Sequence, residues 1–410
     1  MSALMERLDA LARFSDEEGA LTRLYLTPSH RAAAEAVRGW MEEAGMTAAI
    51  DAAGSVAGRW EGRVAGLPAL LLGSHIDTVR DAGRYDGNFG VLAAIEAVRR
   101  LRAEGVRLPF AVEVLAFGDE EGARFPVTLT TSRAIAGTFD PATLAAVDPA
   151  GVSLREALAG FGADPQAIPA LARRREAVLG YVELHIEQGP VLEAEGLPVG
   201  VVSAIAGAAR YTITLHGHAG HAGTVPMALR RDALAAAAEM MLAIERIARA
   251  GGELVATVGQ IEARPGAVNV IPGEVRFSLD LRSPSDAARE AARAAIAAEI
   301  GAIAARRAVH PAMERTYEAP AAVCSPALSG ALEAAVARAG IRPRRLPSGA
   351  GHDGLAMVAL CPIAMLFVRC KGGISHHPAE SITAADAETA VAILGDFLRH
   401  WSPDEVSDAR

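Results

Sequence analysis

Histidine and carboxylate side chains recur where apolar runs of this chain end, a placement suited to holding metal ions. Residues 69–90 read Ala-Leu-Leu-Leu-Gly-Ser-His-Ile-Asp-Thr-Val-Arg-Asp-Ala-Gly-Arg-Tyr-Asp-Gly-Asn-Phe-Gly. The run 69–72 reads as a buried strand. It delivers His75 and Asp77 at its carboxyl end, and a Gly-rich loop then carries Asp86. Open α/β sheets place their chemistry at such strand ends. His-x-Asp suits an imidazole ligand oriented by a carboxylate. A second strand, 110–117, runs directly into Gly118-Asp119-Glu120-Glu121-Gly122. Two adjacent glutamates can divide the work, one holding metal and the other acting as a base. A third strand, 181–186, carries His185 ahead of Glu187 and Gln188, and a fourth, 363–368, leads to Ser375-His376-His377-Pro378-Ala379-Glu380. Singly, each has an ordinary explanation as a solvated acidic turn or a hydrogen-bonded histidine. Together, His75 with Asp86, Glu121, His185 and His376 fit two nearby ions sharing one carboxylate. Imidazole and carboxylate without thiolate point to Zn²⁺, Mn²⁺, Co²⁺ or Ni²⁺. Such a pair lowers the pKa of a bridging water and polarises a carbonyl. Glu120 can then take the water's proton and pass it to a leaving nitrogen.

The elements that must position these groups alternate between strand and helix, the pattern of an α/β fold. Helices are expected at 3–13, at 30–44 behind Thr27-Pro28-Ser29, at 88–104, at 326–339 and at 384–400, with strands at 47–51 and 55–60. Residues 123–180 read as helical and loop-rich, with Arg173 to Arg175 on the surface. His30 is expected to be structural. Near 207 the pattern changes. An alternating strand at 211–215 precedes the histidine-, glycine- and alanine-rich loop 216–223. A helix at 230–250, strands at 253–262 and 274–282, and a helix at 285–304 complete a compact α+β unit. Its position suggests an insertion, giving segments 1–207, 208–319 and 320–410. The Met240-Met241 pair is expected to pack.

Composition narrows the function. The 410 residues are 51% apolar, 22% charged and 4% aromatic, with a formal charge of −9. This is a soluble globular composition. No basic block or aromatic–basic interleaving supports a nucleic-acid surface. No apolar stretch is long enough for a membrane span. Cys324, Cys361 and Cys370 make no disulfide framework and suit a reducing compartment. The first residues show no apolar signal core, so cytoplasmic residence is the expectation. Neither a Gly-x-Ser-x-Gly elbow nor a phosphate-binding Gly-x-x-x-x-Gly-Lys-Ser/Thr loop is present.

Six stretches carry a resemblance: Gly-Ser-His-Ile-Asp-Thr-Val at 73–79, Tyr-Asp-Gly-Asn-Phe-Gly-Val at 85–91, Asp-Glu-Glu-Gly-Ala-Arg-Phe at 119–125, Glu-Leu-His-Ile-Glu-Gln-Gly-Pro at 183–190, His-Ala-Gly-Thr-Val-Pro-Met at 221–227 and Ser-His-His-Pro-Ala-Glu at 375–380. The chain resembles the hydantoinase/carbamoylase branch of the M20 metallopeptidase-like amidohydrolases. The resemblance implies a two-metal, aminopeptidase-like catalytic domain and a smaller inserted lid domain that makes a homodimer. By position, His75, Asp86, Glu121, His185 and His376 resemble the metal ligands, with Asp86 bridging and His377 a bystander. Glu120 resembles the general base and Asp77 the residue that orients His75. Asn269 and Arg282 resemble the groups that hold a substrate carboxylate, and Gln188, His221, Gly351 and His352 resemble further substrate contacts. His221 would come from the partner subunit and steady an oxyanion, whereas His216 and His218 belong to loop structure. Ala208 and Ala209 stand where many relatives carry a polar residue. The implied reaction is hydrolysis of a ureido C–N bond in allantoate or an N-carbamoyl-L-amino acid. An M20 dipeptidase or N-acyl amino acid deacylase is the alternative. His185 in place of a carboxylate, and Tyr-Asp-Gly-Asn-Phe-Gly in place of Asp-x-Lys-Gly, disfavour it.

Overall fold

The structure is a computed structural model and describes residues 3–403; the extremities of the two outer segments, 1–2 and 404–410, lie outside it. It divides into two compact units. One comprises the chain up to Ser203, Val323–Leu346 and the chain from Gly351, and the other comprises Ala204–Ala322 with Pro347–Ala350.

The first unit is built on a mixed sheet. In chain order it begins with β1 (Thr47–Ile50), β2 (Val56–Trp60), β3 (Ala69–His75), β4 (Ala111–Phe117), β5 (Val178–Ile186) and β6 (Val199–Ile205). At its centre β3 runs parallel to both β4 and β5. β3 and β4 are buried along their whole lengths, which is why they read as mainly apolar runs, interrupted in β4 by Glu113. The chain leaves β3 through the helix Asn88–Ala103 to reach β4 on one side, and later places β5 on the other side. The connections therefore diverge beside the carboxyl end of β3, where open α/β sheets form a binding crevice.

The second unit adds β7 (Gly207–His216), β8 (Gly220–His221), β9 (Val255–Thr257), β10 (Ile261–Arg264), β11 (Val270–Ile271), β12 (Glu274–Ser283) and β13 (His310–Ala319). Its main sheet has the order β10-β12-β7-β13, with β9 also paired to β12. The helices Ala233–Ala250 and Asp286–Arg307 bury the face lined by Ile213, Leu215, Phe277 and Leu279. The strand expected over 253–262 is two short strands. Between them the ladder is carried by Ser278, whose Oγ accepts the Gln260 N–H while its N–H donates to Gln260 O, both at 3.0 Å. β6 and β13 have no counterpart among the sequence expectations.

The chain then returns through β14 (Ala322–Val323), β15 (Arg345–Ser348) and β16 (Ile363–Val368). β16 lies parallel to β5 and antiparallel to β6. The carboxyl ends of β3, β4, β5 and β16 thus share one edge. The core packs Leu70, Leu72, Val112, Val182 and Leu366 against Phe89, Ile95, Leu394 and Phe397. A separate cluster joins Tyr25, Phe125, Leu154 and Phe161. His30 belongs structurally beside it: the ring is buried, stacks on Phe161, and accepts the Leu26 N–H through Nδ1. Arg173 departs from the surface expectation. It is half-buried and its guanidinium pairs with the buried Glu113 of β4, whereas Arg174 and Arg175 are exposed. No helix among the described residues is long and apolar enough to cross a membrane.

Candidate metal centre and its surroundings

His75 is the last residue of β3, and Gly87 opens the helix behind the next loop. Gly87 has φ +64°, and a Cβ there would stand 2.4 Å from the His75 ring. Glycine is therefore required both for the left-handed turn and for the approach of the imidazole. The Nδ1 of His75 lies 3.1 Å from Asp77 O, and the Nδ1 of His185 lies 2.9 Å from Ile186 O. A carbonyl only accepts, so each Nδ1 carries its proton and each Nε2, in the neutral ring, presents a lone pair. These two Nε2 atoms are 3.5 Å apart and lie 3.5 and 3.1 Å from Asp86 Oδ1. Lone pairs and a carboxylate facing one another at such distances call for positive charge between them. Divalent ions fit this donor set of imidazoles and carboxylates.

Asp86 presents its other oxygen to a second set. Oδ2 lies 3.2 Å from His376 Nε2, which is itself 3.5 Å from Glu121 Oε1. The ligand atoms of His75, Asp86 and His185 all lie within 4.8 Å of one another, as do those of Asp86, Glu121 and His376. Asp86 belongs to both groups. His75, Glu120 and Glu121 form a further group on the same criterion. Next to His376, His377 turns aside and accepts the Ala379 N–H at 3.1 Å.

Electrostatics reflect this crowding. Burial disfavours charge on His75, but its bonds to Asp77 and Asp86 outweigh that and raise it well above the ordinary imidazole range. Asp86 would rise through burial, yet His185, His376 and His75 hold it well below the usual carboxylate range. Burial lifts Glu120 far above that range, aided by Glu121, Asp353 and Asp77 and opposed by His75. Burial and the nearby Asp86 push Glu121 up to about 7. The bond to Asp86 raises His376 to about 9.

Asp77 has a wider part than orienting one ring. Its Oδ1 and Oδ2 accept the N–H groups of Glu120 and Glu121, each at 3.1 Å, while Oδ1 also stands 3.5 Å from His75 Nδ1. Gln188 donates from Nε2 to Asp86 Oδ2 at 2.8 Å and stands at φ +56°. The amide is therefore a partner of the shared carboxylate, and its Oε1 is buried with no hydrogen-bond partner among the described residues. Gly351 lies beside Glu120, whose Oε1 would be 3.6 Å from a Cβ placed there. His352 is buried and meets the His185 ring edge to face at 4.4 Å.

The remaining candidates lie in the second unit. Arg282 on β12 donates from Nε and Nη2 to the Asp280 carboxylate at 2.7 and 3.1 Å, and from Nη1 to Gly349 O at 2.7 Å. Asp280 also accepts from Arg210, so one carboxylate serves two guanidinium groups. Ala208 lies opposite Arg282 in the β7–β12 ladder. His221 and Asn269 are brought together by the β8–β11 pair, where the Ala222 N–H donates to Asn269 O at 2.9 Å. They stand beyond the Glu274 end of β12, while Arg282 is near the other end. Eight residues of extended strand separate those ends by about 27 Å. Asn269 and Arg282 of one chain are therefore not brought to a common point within this unit.

Sequence reasoning passed over Arg23, Glu183, Ser375 and Glu380. Arg23 is buried and donates to Ile76 O, Leu11 O, Phe14 O and Asn88 Oδ1. Glu183 lies two residues before His185, on the same face of β5, and accepts from Ser74 Oγ and the Gly354 N–H. Its spacing from His185 was the available signal, since alternate strand residues share a face.

The profile of peptidase family M20/M25/M40 matches residues 71–400. An N-carbamoyl-L-amino acid amidohydrolase of Geobacillus stearothermophilus is 44% identical over 392 residues, covering 95% of this chain and 96% of that protein. An allantoate deiminase of Arabidopsis thaliana is 40% identical over 423 residues, covering 96% of this chain and 81% of that one. The crystal structure of an amidase of the hydantoinase/carbamoylase family from Burkholderia multivorans superposes with a TM-score of 0.91 at 35% identity, covering 96% of each chain.

Proposed function

This chain belongs to peptidase family M20/M25/M40, and from that premise we propose that it hydrolyses the ureido C–N bond of a small carboxylate-bearing substrate, an N-carbamoyl-L-amino acid or allantoate. The observation that carries this reading is the grouping of Glu120 with His75 and Glu121, next to two donor groups joined through Asp86. His75, Asp86 and His185 would hold one divalent ion, and Asp86, Glu121 and His376 a second, as Zn²⁺, Mn²⁺, Co²⁺ or Ni²⁺. When bound, such ions acidify a water and polarise the substrate carbonyl.

The protein's own groups do the rest. Glu120, whose proton affinity is raised by burial and by neighbouring carboxylates, would take a proton from the attacking water. It returns that proton to the departing nitrogen, which leaves as ammonia; the carbamate that remains loses CO₂ to free the amine, with either substrate. Asp77 fixes the backbone N–H groups on both sides of Glu120. Arg282, braced by Asp280, offers a planar fork for the substrate carboxylate. A homodimer formed through the second unit would bring the partner subunit's His221 to the developing oxyanion, with the partner's Asn269 beside it. Three buried cysteines without disulfides support a cytoplasmic setting.

Ammonia release from a panel of N-carbamoyl-L-amino acids, allantoate and dipeptides, with purified Mn²⁺-loaded protein, tests the reading. Turnover of at least one ureido acid in preference to the dipeptides is expected. Absence of ammonia from every ureido acid overturns it.

A further inference from the structure

The two halves of the proposed centre are supported differently. His75 and His185 sit on neighbouring strands, and each ring is locked by a backbone carbonyl close by in its own chain segment. Asp86 and His376 come from loops about 290 residues apart in sequence. His376 also stands at φ +55°, a conformation that a non-glycine residue keeps only where its surroundings hold it.

Glu380 ties these loops together. It is 4% exposed. Its Oε1 accepts the N–H groups of Tyr85 and Asp86 at 2.8 and 3.1 Å, and its Oε2 lies 3.0 Å from Ser375 Oγ. That hydroxyl is also 2.7 Å from Asp86 Oδ2. The fit is close, since a Cβ on Gly83 would come within 2.3 Å of the Glu380 side chain. Burying a carboxylate beside another is unfavourable unless its bonds repay the desolvation. Here those bonds join the backbone of Asp86 to the residue preceding His376.

We infer that Glu380, acting directly on the 83–87 loop and through Ser375 on the 374–380 loop, is the positioning residue for the Asp86–Glu121–His376 half of the centre. The inference rests on the two-ion reading given above. It specifies that loss of Glu380 loosens the ion of the Asp86–Glu121–His376 group more than the other, which shares Asp86 but keeps the His75 and His185 rings. Groups that orient metal ligands are worth about 10–100-fold in affinity.

The test counts Mn²⁺ bound per chain by mass spectrometry, follows stepwise dissociation against a chelator, and records the electron paramagnetic resonance signal of a coupled ion pair. Wild type should hold two ions and give the paired signal. Glu380→Ala should bind the ion of the Asp86–Glu121–His376 group about 10–100-fold more weakly, weaken the ion held by His75 and His185 by less, and lose the paired signal. Glu380→Gln retains an acceptor oxygen and should recover part of that affinity. Ser375→Ala should weaken the same ion. If Glu380→Ala does not fold, the last two variants decide. Two ions held as in wild type, or both ions weakened equally, overturn the inference. A wild type holding fewer than two overturns the two-ion reading itself, before any variant is compared.

Discussion

Asp77→Asn isolates the support of the proposed base from the base itself. In the native chain one carboxylate oxygen accepts the Glu120 N–H and the other accepts the Glu121 N–H, both at 3.1 Å. Asparagine keeps one acceptor oxygen and turns an amide NH₂ toward the other N–H. One charge-assisted bond is lost outright and the survivor becomes neutral. Bonds to charged groups contribute about 1.5–3 kcal/mol, which corresponds to roughly 10–150-fold in rate or affinity. The His75 ring keeps its Nδ1 bond to the backbone carbonyl of residue 77, so its orientation should survive. The defect should fall on kcat, through Glu120, with a smaller loss of Mn²⁺ affinity through Glu121. KM should move little. Steady-state ammonia release with an N-carbamoyl-L-amino acid, run beside metal analysis, measures both. All three tryptophans, Trp40, Trp60 and Trp401, lie in the first unit, so their fluorescence on heating reports whether that unit still folds. A folded Asp77→Asn protein with kcat/KM within threefold of wild type would refute the reasoning.

Other expectations follow from the same geometry. Glu120→Gln should lower kcat by about 10²–10⁴-fold, the usual span for removing a general base, while both ions stay bound; metal content and ammonia release check this. Arg282→Ala should raise KM by about 10–150-fold at nearly constant kcat, from the loss of about 1.5–3 kcal/mol of charge-assisted bonding; an unchanged KM would remove Arg282 from carboxylate binding. Burial, only partly offset by Asp77, depresses His30 to about 4, whereas an unfolded imidazole titrates near 6.5. Between those values the unfolded chain binds a proton that the folded one refuses. Stability is therefore full above about pH 6.5 and falls as pH drops toward 4. Compared with His30→Phe, metal-stripped wild type should lose about 1.5–2 kcal/mol more between pH 6.5 and 5.0, read by urea unfolding on tryptophan fluorescence.

The parts of the fold that were legible share one property: burial on both faces of a strand or along one stripe of a helix. β16 is a continuous apolar run, β3 and β4 are mainly apolar, and polar residues follow where each run ends. β13 went unseen because it has no such pattern. It is an edge strand, exposed at nearly every position, and its Pro311 and charged residues would read as loop. The break within 253–262 depends on Ser278 of another strand substituting for backbone in the ladder, which local sequence does not reveal. At the centre, residues at strand ends could be recognised by type and place. Arg23 and Glu380 could not, because their parts depend on contacts across 53 and 294 residues. The bond from Gln188 to Asp86 is likewise invisible in the sequence, because only the folded loop supplies that partner.

The length of β12 has a genetic corollary. In the proposed homodimer, a chain whose Arg282 serves one substrate while its His221 serves another carries halves of two different workplaces. Co-expressing one copy damaged at Arg282 with another damaged at His221 should then restore what neither achieves alone. Random pairing leaves about half of the assemblies mixed, and each mixed assembly owns one undamaged workplace out of two, so about a quarter of full output should return.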